Sequence, residues 1–226
     1  MKISVVPVLI AAFVLSACSC GRTAIPQDSS VPPPSGWSVS EADAAAVVVS
    51  MTCMTSDGAI MGPIVLGSGV IVSSRRVLTA AHVAAYSVCA YSVTTNRGVV
   101  IPVDIEILSP QLDIARLVAP KDSFTLTPVT LGPVPDPGEE ICISSAVPSR
   151  EWVCGDVQLY RARLPGDVRH TGITQKGNSG SGVYDRTGRL IGIVTHLTEC
   201  SGGYKQICGG KVTSLEGREW WVSSIQ

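Results

Sequence analysis

The chain has 226 residues, of which 15% are charged, and a formal net charge of -1, so it is long enough for one sizeable core and carries no basic field. A phosphate backbone would meet no complementary surface, which argues against nucleic acid as a partner. Valine, isoleucine, threonine, glycine and proline dominate the body in short runs broken by turn residues, a pattern of many strands rather than long helices.

The first seventeen residues combine an early positive charge at Lys2, an apolar run from Val5 to Leu15 and small residues before Cys18, as a secretory leader does. That run is too short to span a bilayer. Leu15-Ser16-Ala17-Cys18 resembles the lipobox of bacterial lipoproteins, in which the cysteine thiol receives a diacylglycerol before the leader is removed. The resemblance implies a mature chain that begins at lipidated Cys18, held in the cell envelope at a bacterial membrane and facing the periplasm or the exterior. Buried methylenes contribute about 0.8 kcal/mol each, so two or more acyl chains anchor stably. Residues 18–40, rich in Pro, Ser, Gly and Thr and containing Val31-Pro32-Pro33-Pro34, read as a tether, and 41–226 as the folded domain.

Strands are expected at Ala46–Met51, Ile64–Leu66, Gly69–Val72, Gly98–Val103, Ile114–Val118, Glu140–Ile143, Gly155–Leu164, Ser181–Tyr184, Leu190–Thr195 and Gln206–Thr213. Two helical pieces are expected, one at Ala80–Ala85 and one from about Ser214 through Trp220-Trp221 to Ile225, capped by Thr213 or Ser214. Export permits disulfides. With Cys18 lipidated and Cys20 in the tether, Cys53, Cys89, Cys142, Cys154, Cys200 and Cys208 remain, and fifteen pairings are open to six thiols. Neighbours along the chain favour 53 with 89, 142 with 154, and 200 with 208. No two cysteines show zinc-ribbon spacing and the three histidines are not clustered near cysteines, so neither a metal site nor any cofactor is expected.

Three local motifs carry chemistry. Residues 67–83, Gly-Ser-Gly-Val-Ile-Val-Ser-Ser-Arg-Arg-Val-Leu-Thr-Ala-Ala-His-Val, read as strand, turn, strand and then His82 at the start of a helical turn. Leu112-Asp113-Ile114-Ala115-Arg116-Leu117 sets one carboxylate among apolar neighbours, and Gly177-Asn178-Ser179-Gly180-Ser181-Gly182-Val183 sets one serine among small residues that allow a tight turn. A hydroxyl is a weak nucleophile at neutral pH and needs a base such as imidazole, which in turn needs a buried acid to fix its tautomer.

Together, in the chain order histidine, aspartate, serine, these motifs resemble those of trypsin-like serine peptidases. The Gly-Asn-Ser-Gly form resembles HtrA-type and glutamyl-endopeptidase-type bacterial enzymes, and the likeness runs from about Ala46 to Ile225. It implies an all-β fold of two six-stranded antiparallel β-barrels with a short C-terminal helix, and a monomeric endopeptidase acting on protein or peptide substrates. His82, Asp113 and Ser179 would form its triad and the amides of Gly177 and Ser179 its oxyanion hole. Asn178 replaces the aspartate that receives a freed N-terminus in many animal members, so that activation switch is absent.

Counted without gaps from Ser179, the floor of the primary pocket falls at Ile173 and its wall at Thr174, leaving no carboxylate for a P1 Arg or Lys. Leu197 and Ile207 would narrow the slot toward small aliphatic P1 residues, while the hydroxyl of Thr195 would support Asp113. Glutamate specificity needs a pocket histidine that would fall at Val194, unless a local bulge brings His196 into its place. His170 and His196 read as structural histidines. The contrasting expectation is a catalytically inactive lipoprotein that uses the same fold as a binding module.

Overall fold

The computed structural model describes residues 39–86, 88–125, 129–158, 167–201 and 207–222. The leader, Cys18, Cys20 and all but the end of the tether lie outside the described residues, as do the side chains of Leu197, Cys200, Ile207 and Cys208. Strands dominate the described chain. β1 (Ala46–Met54), β2 (Ile60–Ser73), β3 (Arg76–Ala80), β4 (Cys89–Thr94), β5 (Val100–Ser109) and β6 (Ile114–Val118) close one barrel in the order β1-β2-β3-β6-β5-β4. β7 (Glu140–Ser145), β8 (Glu151–Gln158), β9 (Asp167–His170), β10 (Gly182–Asp185), β11 (Leu190–Ser201) and β12 (Ile207–Ser214) close a second in the order β10-β11-β12-β9-β8-β7. Every pairing within the barrels is antiparallel. Closure leaves neither sheet with an exposed edge.

Alternation along the strands builds the cores. Val47, Val49, Val70, Val77, Leu78, Val93, Ile114 and Leu117 fill the first barrel; Ile141, Ile143, Val183, Ile191, Val194 and Val212 fill the second. Disulfides Cys53–Cys89 and Cys142–Cys154 pin adjacent strands in each barrel, as expected. Cys200 and Cys208 face each other in the β11–β12 register.

Several elements differ from expectation. Helix α1 (Val39–Ala45), inside what read as tether and domain start, buries Ala42 and Ala45 and receives the guanidinium of Arg150 on the carbonyls of Asp43 and Ala46. Neither β4 nor β9 was expected as a strand: β4 turns Tyr91 and Val93 inward in alternation, whereas β9 is Asp-Val-Arg-His and has no apolar run to reveal it. The expected helix from Ser214 is instead the end of β12, a turn through Gly217 at φ 68°, and one 3-10 turn at Glu219–Trp221.

That last turn docks on the first barrel. Trp221 is fully buried, and the buried Arg116 donates from Nη1 to the carbonyl of Trp220 at 2.7 Å while pairing with Glu106. Glu106 also receives both arms of Arg76 at 2.9 Å, which holds its carboxyl below the usual range.

Candidate active site at the barrel seam

His82 follows β3 directly, in a 3-10 turn at Ala81–Ala84 whose alanines and Val83 are buried, so its ring faces out from a fixed backbone. Asp113 sits between β5 and β6 at φ 54°, in the left-handed region where Asp and Asn are the best tolerated non-glycine residues. The aspartate is wired to the histidine and its turn three times. Its carbonyl accepts Ala81 N–H at 3.1 Å, its Oδ1 accepts His82 N–H at 3.0 Å, and its Oδ2 lies 2.8 Å from His82 Nδ1. The histidine side chain is 48% exposed and the carboxylate 16%, so the acid is shielded and Nε2 has access to solvent and ligand.

Ser179 lies where the barrels meet. Its carbonyl accepts Ser68 N–H of β2 at 2.9 Å, and the next amide, Gly180 N–H, donates to Val194 O of β11 at 2.7 Å. Gly180 has φ 86°, and a Cβ there would fall 2.1 Å from Ser68 O, 2.3 Å from Thr79 Oγ1 and 3.1 Å from Ala80 N, two residues before His82. The serine loop is thus pressed against the strand that delivers the histidine. Gly180→Ala is expected to cost more than about 3 kcal/mol, because the backbone conformation and the space both forbid it. Denaturant unfolding of the variant measures that cost.

The loop is braced from inside by a buried polar network. Asn178 accepts Gln175 N–H at 2.6 Å and donates through Nδ2 to Ser145 Oγ at 2.6 Å and Val147 O at 3.0 Å. Ser68 Oγ donates to Gly177 O at 2.8 Å and accepts Ala146 N–H at 3.2 Å. The peptide between Gly177 and Asn178 is therefore held at both ends, since its N–H donates to Gln175 O at 3.1 Å. Among the described residues no protein carbonyl accepts the amides of Gly177 or Ser179, and both residues line a cleft with Val65, Leu66, Val147 and Lys176. Gly177 has φ 101°, and Val147 Cγ1 would lie 2.4 Å from any Cβ. Ser145 lies in no sequence motif, and Ser68, although part of the 67–83 segment, is revealed as a brace only by the barrel contact.

The residues expected to line the primary pocket differ in exposure. Ile173 is 44% exposed and does not form a buried floor, whereas Thr174 is 5% exposed. Thr195 does not reach Asp113: its hydroxyl donates to Lys211 O at 3.4 Å and lies 3.4 Å from Thr213 Oγ1, which donates to the carbonyl of Leu112. The cause is a bulge, for Val194 pairs with Val212 and His196 with Lys211, so Thr195 is the extra residue and its support of the aspartate runs through Thr213 and the backbone. His196 stays exposed despite that bulge. No group of His, Cys, Asp or Glu among the described residues is arranged to hold a metal ion.

Comparison with known proteins adds two findings. The trypsin-like peptidase domain family matches residues 67–193, more than half of the chain, from Gly67 through all three motifs to Ile193. An HtrA-type protease, AlgW, solved with a decapeptide, shares the fold with a TM-score of 0.64 and 23% identity, over 79% of this chain and 62% of that one. A search of curated proteins finds no match.

Proposed function

The chain belongs to the trypsin-like peptidase family, and we propose that within it the chain is a serine endopeptidase with Ser179 as nucleophile, His82 as acid and base, and Asp113 as the buried partner that orients His82. The observation that carries this is the Asp113–His82 pair. With Oδ2 on Nδ1, the proton of a neutral imidazole resides on Nδ1, and Nε2 presents a lone pair on the side away from the acid.

In the proposed reaction Nε2 takes the Ser179 proton as Oγ attacks the scissile carbonyl, and Asp113 stabilises the imidazolium that forms. The carbonyl oxygen becomes an oxyanion and moves toward the amides of Gly177 and Ser179, which no protein acceptor occupies; such a donor contributes about 3 kcal/mol in comparable enzymes. His82 then passes its proton to the leaving amine, an acyl-enzyme remains, and water repeats the sequence to release the acid. Extended peptide is the substrate class, in keeping with the decapeptide in the HtrA-type relative, and the P1 residue is small and aliphatic.

Incubation with a fluorophosphonate probe followed by peptide mapping tests the reading. Labelling at Ser179, together with cleavage of a peptide library, is expected; absence of labelling from mildly acidic to alkaline pH would mean the fold serves as a binding module instead. Ser68→Ala tests the brace. It leaves Gly177 O and Ala146 N–H buried without their partner, a loss of about 1–3 kcal/mol that should lower Tm by about 3–8 °C. The freer loop should also cut kcat about tenfold with KM little changed, since the hole acts on the transition state.

The same reading places the mature chain on a membrane by lipid at Cys18, as a monomer. Mass spectrometry of the mature N-terminus tests the anchor.

A further inference from the structure

One buried histidine has no part in the chemistry above. His170 ends β9, is 1% exposed, and pairs in register with Gly210 of β12. Its Nε2 is buried and has no hydrogen-bond partner among the described residues. A Cβ on Gly210 would fall 2.4 Å from that nitrogen, 2.8 Å from the adjoining ring carbon and 3.3 Å from Thr174 Oγ1. Ring and hydroxyl therefore converge on the bare face of one glycine. Gly210 does not adopt a positive φ, unlike Gly177 or Gly180, so a side chain is excluded there by space and not by backbone conformation.

The surroundings identify that space. Thr174 opens the segment that leads through Gly177 to Ser179. Gly210 precedes Lys211, which pairs with His196 just beyond the bulge at Thr195 of β11. The imidazole thus lies against Gly210 of β12 and beside Thr174, at the foot of the segment that leads to the nucleophile. Ile173, standing at the surface, does not close this space.

We propose that His170 is the specificity-determining floor of the primary pocket: its ring fills the depth beside Thr174 and Gly210 and limits P1 to small side chains. This rests on the peptidase reading of Ser179. The floor is uncharged, since burial pushes the His170 pKa down to about 4 and the ring is neutral over the working range. Arg169 and Lys211, a register pair on the same two strands, belong by alternation to the opposite face. Among the described residues a P1 carboxylate would find no cation at this depth, so the pocket selects by size.

The experiment profiles P1 with a peptide library on wild type, His170→Ala and His170→Ser, with rates expressed per site titrated by the fluorophosphonate probe. Wild type should cut after Ala or Val, and the variants should raise kcat/KM for Leu, Met or Phe at P1 relative to Ala by tenfold or more, the scale on which a hydrophobic pocket discriminates by size. An unchanged P1 order in labelled variants, or a wild type that favours large or acidic P1 residues, overturns the proposal. If neither variant folds, Thr174→Ser removes a methyl group from the same floor and should shift preference several-fold toward longer P1 residues; no shift there overturns it equally. A wild type that neither labels nor cleaves defeats the peptidase reading, whereas labelling with an unshifted profile defeats this inference alone.

Discussion

Ser179→Ala is expected to abolish fluorophosphonate labelling and to lower peptide hydrolysis about 10⁵-fold or more, while leaving the unfolding free energy within about 0.5 kcal/mol of the parent. The two halves of this expectation come from the same geometry. Ser179 is held through its main chain, its carbonyl on Ser68 N–H and the following amide on Val194 O, and among the described residues no hydrogen bond of the fold uses its hydroxyl. Removing Oγ deletes the nucleophile without unfastening the loop. Thermal melts and probe gels on the same preparations separate the outcomes: lost labelling with an unchanged Tm supports the assignment, and labelling that survives in the alanine variant assigns the nucleophile elsewhere. Residual hydrolysis would report the Gly177 and Ser179 amides, which polarise a bound carbonyl without a serine side chain.

What could be read in the sequence is what local chain geometry determines. His82 lies at the end of one strand-turn-strand segment, Asp113 at the start of β6 and Ser179 in a loop of small residues, so each motif is confined to a few consecutive positions. The barrels follow from the same alternation of apolar and polar residues that marks most of their strands. The residues expected to line the pocket were less legible because a count along the chain carries no information on which strands pair, or in what register. An ungapped count from Ser179 puts Ile173 at the floor, but the β9–β12 pairing brings His170 to Gly210 and leaves Ile173 at the surface. In the same way, one extra residue in β11 turns Thr195 from Asp113 to Lys211 O and leaves Thr213 to hold the carbonyl of Leu112. The Ser68–Ser145–Asn178 brace was hidden for a different reason. Its members lie 77 and 33 residues apart in succession, across both barrels, and a lone serine in a strand has no periodicity that announces a buried hydrogen bond.

Asp113→Asn isolates the role of the acid more cleanly than a truncation would. Asparagine tolerates φ 54° and has nearly the same shape, so the turn between β5 and β6 should persist. Its amide, however, has one acceptor and one donor end. The backbone N–H of His82, 3.0 Å from Oδ1, claims the acceptor, which leaves the amide NH₂ facing Nδ1 where a carboxylate oxygen now stands at 2.8 Å. Nδ1 must then accept a hydrogen bond, the ring proton moves to Nε2, and Nε2 has no lone pair for the Ser179 proton. The expected result is a fall in kcat of about 10⁴-fold near neutral pH, the size associated with a wrong tautomer, with Tm little changed. Asp113→Ala should cost activity similarly but stability as well, because Oδ1 also caps the turn at His82. Equal activity in Asp113→Asn and the parent would show that another group orients His82. An asparagine variant that loses activity only in step with Tm would reduce Asp113 to a scaffold residue.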